Sequence, residues 1–287
     1  MKRMIATLTA LILLAGLVPA LAEELPEDCI DLAEGHIASV DLDGDGVPED
    51  VSWAMTPGEY DDMLALTVDP GDYARTYWTD IIYNGQVYIK DLDDDGIPEI
   101  LMTGDVASDD YYTWCLRYMD GRLTEVLFPD SNRGENTNGY FPQGYGLITR
   151  LTDYYIELSG SQDVLGTWMA SRRISLERSG HFEFCDNYVW ERAWDPYSDE
   201  DNLWEYAALT VRSPVAYTGD HGCADGILEP GDQLLVYATD KQSEALFYTP
   251  DDITGILSIS PDYERGWGWL VNGVPEEDCF EYIPYAD

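Results

Sequence analysis

Two stretches of the chain repeat each other at a constant offset of 50 residues: His36-Ile-Ala-Ser-Val-Asp-Leu-Asp-Gly-Asp-Gly-Val-Pro-Glu49 and Gln86-Val-Tyr-Ile-Lys-Asp-Leu-Asp-Asp-Asp-Gly-Ile-Pro-Glu99. In each, an apolar run leads into alternate aspartates, a glycine and a proline, and a second apolar run follows. Pro48 and Pro98 block a helix immediately after the turn, so the flanking residues read as strands. The repeat therefore predicts a hairpin with an acidic tip, built twice. Further copies fall due near 141 and 191, but Phe141 to Arg150 and Glu191 to Glu200 carry no aspartate triplet.

The spacing carries chemistry. Asp41, Asp43 and Asp45 occupy positions 1, 3 and 5 of the first loop, with Gly46 at position 6, Val47 at 7 and Glu49 at 9. Asp91, Asp93, Asp95, Gly96, Ile97 and Glu99 repeat that pattern. Alternate acids on a tight turn aim their carboxylates at one centre, and the glycine permits the sharp reversal. The peptide oxygens of Val47 and Ile97 complete an all-oxygen shell, which favours Ca²⁺ over the geometrically stricter Mg²⁺. Two carboxylates about 4 Å apart repel by roughly 4 kcal/mol at an effective dielectric near 20, so a converging triplet calls for a cation. The alternative is a pair of solvated Asp-Gly turns whose carboxylates splay apart. Ser52 and Met102 stand where an EF-hand needs its bidentate Glu, so these are not ordinary EF-hands. A third stretch, His221 to Glu229, keeps only Asp225, Gly226 and Glu229 and reads as a turn.

Both segments resemble the D-x-D-x-D-G-x-x-D/E calcium loop of FG-GAP and integrin-α-type propeller repeats. The likeness implies two Ca²⁺ sites on hairpin tips. That family usually has Asp at position 9, where this chain has Glu49 and Glu99.

The rest of the chain also reads as β. Runs such as Gln86 to Lys90, Tyr111 to Tyr118, Tyr154 to Leu158 and Leu234 to Ala238 are separated by Gly, Asp, Asn and Pro clusters, and no long segment keeps a helical period. Residues 131 to 146 read as a long exposed loop. From about Ala208, the landmarks Leu209-Thr-Val-Arg-Ser213, Ile227-Leu-Glu-Pro-Gly-Asp232 and a hairpin over Leu246 to Ile256 resemble the bacterial Src-homology-3-like (SH3-like) barrel over about 80 residues. Members of that family commonly bind cell-wall peptide or glycan. The expected architecture is all-β: residues 28–206 as calcium-loop hairpin repeats forming a small or partial β-propeller-like region of about four blades, then residues 207–287 as a small SH3-like β-barrel.

Residues 1–22 read as a secretory signal peptide: Lys2 and Arg3, an apolar core from Ile5 to Val18, and Ala20-Leu-Ala22 before the cut. The core is short of the roughly 20 residues a membrane span needs. The mature product is expected outside the cell, without membrane insertion. Losing Lys2 and Arg3 from the 15 basic residues leaves 13 against 56 acids, a formal charge of −43. Such a surface repels nucleic acid and anionic lipid and attracts cations. It is not a disordered acidic tail, because 45% of residues are apolar and 13% aromatic, enough for a core.

Catalytic grammar is sparse. The three histidines fit no metalloprotease motif, no G-x-S-x-G occurs, and 56 acids are too many for paired carboxylates to single out a site. The reading is a secreted, non-catalytic binding or adhesion protein for a cell-wall or surface glycan or peptide; the alternative is a secreted glycan- or peptide-hydrolase. Trp190, Trp194 and Trp204 are the candidate sugar-stacking aromatics, weighed against ordinary core packing. Cysteines 29, 115, 185, 223 and 279 form an odd set, and Cys223 with Cys279 is the first pairing to expect.

Overall fold

The structure is a computed structural model that describes residues 25–58, 62–71, 73–106, 110–129, 140–141, 143–186, 190–192, 204, 207–220 and 224–285. The signal segment lies outside the described residues. Among the described residues the chain is almost wholly antiparallel β, in several sheets of which none closes. No helix among them is long and apolar enough to cross a membrane; one short helix, Glu276–Cys279, lies near the end.

The first repeat builds a four-stranded meander: β2 (Ile37–Val40), β3 (Glu49–Pro57), β4 (Asp62–Asp69) and β5 (Arg75–Trp78). The second builds another, β6 (Tyr83–Lys90), β7 (Glu99–Asp105), β8 (Tyr111–Met119) and β9 (Arg122–Glu125), with β1 (Ile30–Leu32) on its free edge. The two acidic hairpins share one register. Val40 faces Glu49 and Ile37 faces Ser52 in the first; Lys90 faces Glu99 and Val87 faces Met102 in the second. The 50-residue offset of the sequence is thus also an offset of pairing.

These two sheets face each other across a core containing Leu42, Val51, Trp53, Leu64 and Leu66 from the first and Val87, Ile89, Ile100, Met102 and Leu116 from the second. The opposite face of the second sheet, with Tyr88, Leu101 and Cys115, packs on a different cluster that includes Phe128, Ile156, Ile174 and Phe182. A sheet covered on both sides cannot alternate apolar with polar. That is why Val87 to Lys90 and Glu99 to Gly104 are buried without a break.

Phe128–Pro129 and Tyr140–Phe141 pair as a separate two-stranded sheet, Gln143–Tyr145 adds to the second repeat's sheet, and the other strands form one extended sheet that holds two further meanders, Leu147–Leu151 to His181–Phe184 and Gln233–Thr239 to Trp269–Val271. The strand Trp190–Arg192 joins them, pairing with Thr167–Glu177 on one side and Gln233–Thr239 on the other. Hydrogen bonding therefore runs across the boundary expected at 206/207, and one core holds Trp168 and Trp190 together with Leu234, Phe247 and Phe280. Of the long loop expected over 131–146, residues 131–139 and 142 lie outside the described residues, and Tyr140–Phe141 and Gln143–Tyr145 are strands. Gly144 is what admits the second of these, since a Cβ there would sit 2.5 Å from the Phe128 ring.

Candidate metal centre on the hairpin tips

Local chemistry shapes both tips in the same way. Gly46 and Gly96 adopt φ of +84° and +86°, a region that costs other L-residues strain. Their amides donate to Asp41 Oδ2 at 2.9 Å and Asp91 Oδ2 at 2.8 Å. The Val47 and Ile97 amides donate to Asp45 Oδ1 at 2.7 Å and Asp95 Oδ1 at 2.8 Å. Glu49 and Glu99 each accept from the amide of the position-2 leucine, Leu42 or Leu92, at 2.9 Å. Every carboxylate at positions 1, 5 and 9 is thereby oriented by backbone donors, which preorganises the loop.

The carboxylates converge in two triplets, each offering one oxygen per residue within 4.8 Å of the others: Asp41, Asp43 and Asp45 in the first loop, Asp91, Asp93 and Glu99 in the second. Of the ten residues expected as ligands, Glu49 stands outside the first triplet and Asp95 outside the second. Val47 is exposed and Ile97 half-buried. The tips are neighbours, since a Cβ on Gly44 would lie 3.8 Å from Ile97 Cγ1. Each hangs on a different core: Leu42 is fully buried in the cluster between the two sheets, and Leu92 packs partly buried against the cluster behind the second.

The surroundings differ sharply. Arg117, on β8, has no counterpart in the first repeat and was not singled out by the sequence. Its guanidinium lies 2.7 Å from Asp93 Oδ2 and 3.6 Å from Asp95 Oδ2, and it pairs with Glu99 Oε1. Burial works against that charge, but Asp93 and Glu99 outweigh it and hold Arg117 protonated. Burial likewise pushes the Glu99 carboxyl up, with the Leu92 amide and Arg117 pulling it back. Burial also raises Glu49, which has only the Leu42 amide, its own backbone and no arginine to oppose the effect. Among the described residues no Lys or Arg pairs with Asp41, Asp43, Asp45 or Glu49. The next residue on β8, Tyr118, points the other way, and after burial it is the charges of Glu49, Asp43 and Asp45 that raise its hydroxyl. One strand end thus serves both loops from its two faces.

The other sequence expectations fare unevenly. Trp190 is not a surface platform: it is 1% exposed, edge-on to Tyr145 at 5.9 Å with Arg172 over its ring, because the pairing of its strand turns the side chain inward. Trp204 is half-buried and edge-on to Tyr248 at 5.5 Å, and Trp194 lies outside the described residues. Among the described residues the large exposed aromatics are instead Tyr73, Trp78, Tyr83, Tyr154, Tyr263, Trp267 and Tyr282. Cys279 is a buried free thiol, and its expected partner Cys223 lies outside the described residues; Cys29, Cys115 and Cys185 are free as well. His221 and Cys223 lie outside the described residues. Asp225 accepts from the Gly219 amide at 3.0 Å, as a turn residue does.

Fold and site together define an all-β protein with a pair of acidic hairpin tips whose carboxylates could hold metal. The sequence matches no protein-family model and no curated protein, and the fold matches no solved structure.

Proposed function

We propose that this is an exported, non-catalytic binding protein whose two hairpin tips each take a Ca²⁺ ion, and that the bound ions stiffen the paired sheets which carry its recognition surface. The observation that carries the reading is the likeness of the two tips: in each, three matching amides hold the position-1, position-5 and position-9 carboxylates at distances that agree to about 0.1 Å, on hairpins of the same register. The residues assigned to calcium are Asp41, Asp43, Asp45, the Val47 carbonyl and Glu49, and Asp91, Asp93, Asp95, the Ile97 carbonyl and Glu99. Oxygen-only donors with a formal charge this negative suit a hard dication.

The succession of four-stranded meanders supports an FG-GAP-like, blade-type ancestry for the first part. The hairpin Glu244–Tyr248 with Thr254–Pro261 supports the SH3-like reading of residues 207–287. On that likeness the ligand is a cell-wall or surface glycan or peptide. Extracellular calcium modules bind with Kd of order 10⁻⁴ to 10⁻³ M. In 10 mM Ca²⁺ each filled site should then add about 1.4–2.7 kcal/mol of stability by mass action. Urea melts of the processed chain in 10 mM CaCl₂ and in EGTA measure this directly. Coincident curves, with no calcium retained on equilibrium dialysis, remove the proposal. Pull-down on peptidoglycan with and without calcium tests the ligand class.

A further inference from the structure

The two hairpins share one register, but the pairing of the strands that follow them does not. On β7 the pairing sets Ile100 opposite Leu116, which brings Arg117 opposite Glu99. On β3, Asp50 faces Asp69, so one step further the place opposite Glu49 falls to Pro70, just past the end of β4. A three-residue change of register has therefore given the second loop a cation of its own and left the first without one.

That cation is incomplete as a neutralising partner. Asp93 is 3% exposed and Glu99 0%, so both carboxylates are held away from water. Arg117 engages Asp93 through Oδ2 alone; Asp93 Oδ1 is buried and has no hydrogen-bond partner. A buried carboxylate oxygen without a donor is costly, and a native site that keeps one has a use for it. Asp93 stands in the triplet with Asp91 and Glu99, within 4.8 Å, so the orphan carboxylate belongs to a group of oxygens that a spherical ion can serve together. A planar guanidinium cannot reach all of them at once.

We propose that Arg117 is a tethered counter-ion that competes with calcium for the second loop, so that the two tips fill at different calcium concentrations. This rests on the calcium reading of the loops. The first loop, with no internal cation, fills first and serves as the standing structural site. The second is held shut by Arg117 in low calcium. It opens to the ion only when Asp93 and Glu99 exchange the guanidinium for the dication and Arg117, already 16% exposed, swings outward. The exchange involves no bond making, only replacement of one cationic partner by another. The tips lie side by side, since a Cβ on Gly44 would reach within 3.8 Å of Ile97 Cγ1. The second tip is thus a sensor of external calcium, and the first is a fixture.

Calcium titrated into the processed chain by calorimetry tests this, with Asp43→Asn used to assign the first site. The wild type should show two sites about tenfold or more apart in Kd. Arg117→Gln should tighten the weaker site by about tenfold and leave the stronger unchanged. It should also make the melting temperature more calcium-dependent than in the wild type. Two equal wild-type sites, or a weaker site indifferent to Arg117→Gln, overturn the inference while leaving the calcium reading intact. No uptake of calcium by the wild type or the variant removes both. If Arg117→Gln does not fold without calcium, Arg117→Lys, a single-point donor, should give an intermediate tightening of the weaker site. An unchanged site in that variant counts against the inference equally.

Discussion

Leu42 is the side chain by which the first tip is fastened to the protein, and its removal should be felt as both lost packing and loosened metal geometry. The residue sits at position 2 of the loop, is fully buried, and belongs to the cluster shared by the facing sheets. Leu42→Ala deletes a buried side chain from a site flanked by strands on both sheets, where collapse is limited. Such substitutions cost about 2–5 kcal/mol, transfer and cavity together. With about 3 kcal/mol as the working value, the melting temperature should fall by roughly 6–12 °C for a chain of this size. Leu92 occupies the equivalent position but is only partly buried, so Leu92→Ala should cost about 1 kcal/mol. Urea unfolding of both variants, followed by tryptophan fluorescence in EGTA, gives the comparison. The same melts in 10 mM CaCl₂ report the metal: the Leu42 amide can still donate to Glu49, so calcium should recover part of the loss without abolishing it. A Leu42→Ala loss below about 1 kcal/mol, or one equal to that of Leu92→Ala, would refute the anchoring argument.

Two further outcomes follow from buried charge and from the thiols. Lys90 is 2% exposed and places its ammonium 2.7 Å from Asp28 and 3.2 Å from Asp153. The hydrogen bond from Lys90 is the main cause that lowers Asp28, so this carboxylate contributes stability above the ordinary aspartate range that is lost as pH falls through its lower folded value. Burial opposes the charge on Lys90, but Asp28 and Asp153 raise it overall, so its share is complete below the ordinary lysine value and disappears only at higher pH. The stability gap between wild type and Lys90→Met should accordingly be wide at neutral pH and shrink below about pH 4; urea melts that show it widening on acidification contradict the pairing. Among the free cysteines, Cys185 is exposed, whereas Cys115 and Cys279 are buried, with burial pushing Cys279 up to about 11. Brief native alkylation at pH 8, mapped by mass spectrometry, should mark Cys185 ahead of those two, and the reverse order would show that the buried thiols are open to solvent.

How far the sequence could be read tracks how local each feature is. The tips were legible because their logic lies within nine residues: alternate acids, a glycine forced to positive φ, and a proline that ends the turn. The strands Tyr83–Lys90, Tyr111–Met119 and Gln233–Thr239 were legible for the same reason, as runs of β-favouring residues between turn signals. Arg117 was not, because its meeting with Glu99 depends on how β7 and β8 are paired, and no spacing along the chain encodes that register. Lys90 is a similar case: a basic residue in a strand reads as solvent-facing until Asp28 and Asp153, each more than 60 residues away, are brought to it. Trp190, in an acidic, turn-rich stretch, could be read as a sugar platform or as core, and the two neighbouring strands that turn it inward decide for the core. The expected boundary at 206/207 rested on the motif landmarks that begin at Leu209, which carry no trace of Glu191 pairing with Ala238.

That last pairing gives the molecule a narrow seam. Trp190–Arg192 is three residues long and makes a two-residue match with each neighbour, yet it lies between the eleven-residue strand Thr167–Glu177 and the central strand Gln233–Thr239. Lifting so short a stitch breaks few hydrogen bonds while baring two long sheet edges at once, each ready to accept another strand. The tryptophan at its head, edge-on to Tyr145 and set in the core that both flanks share, is the peg that keeps the seam closed.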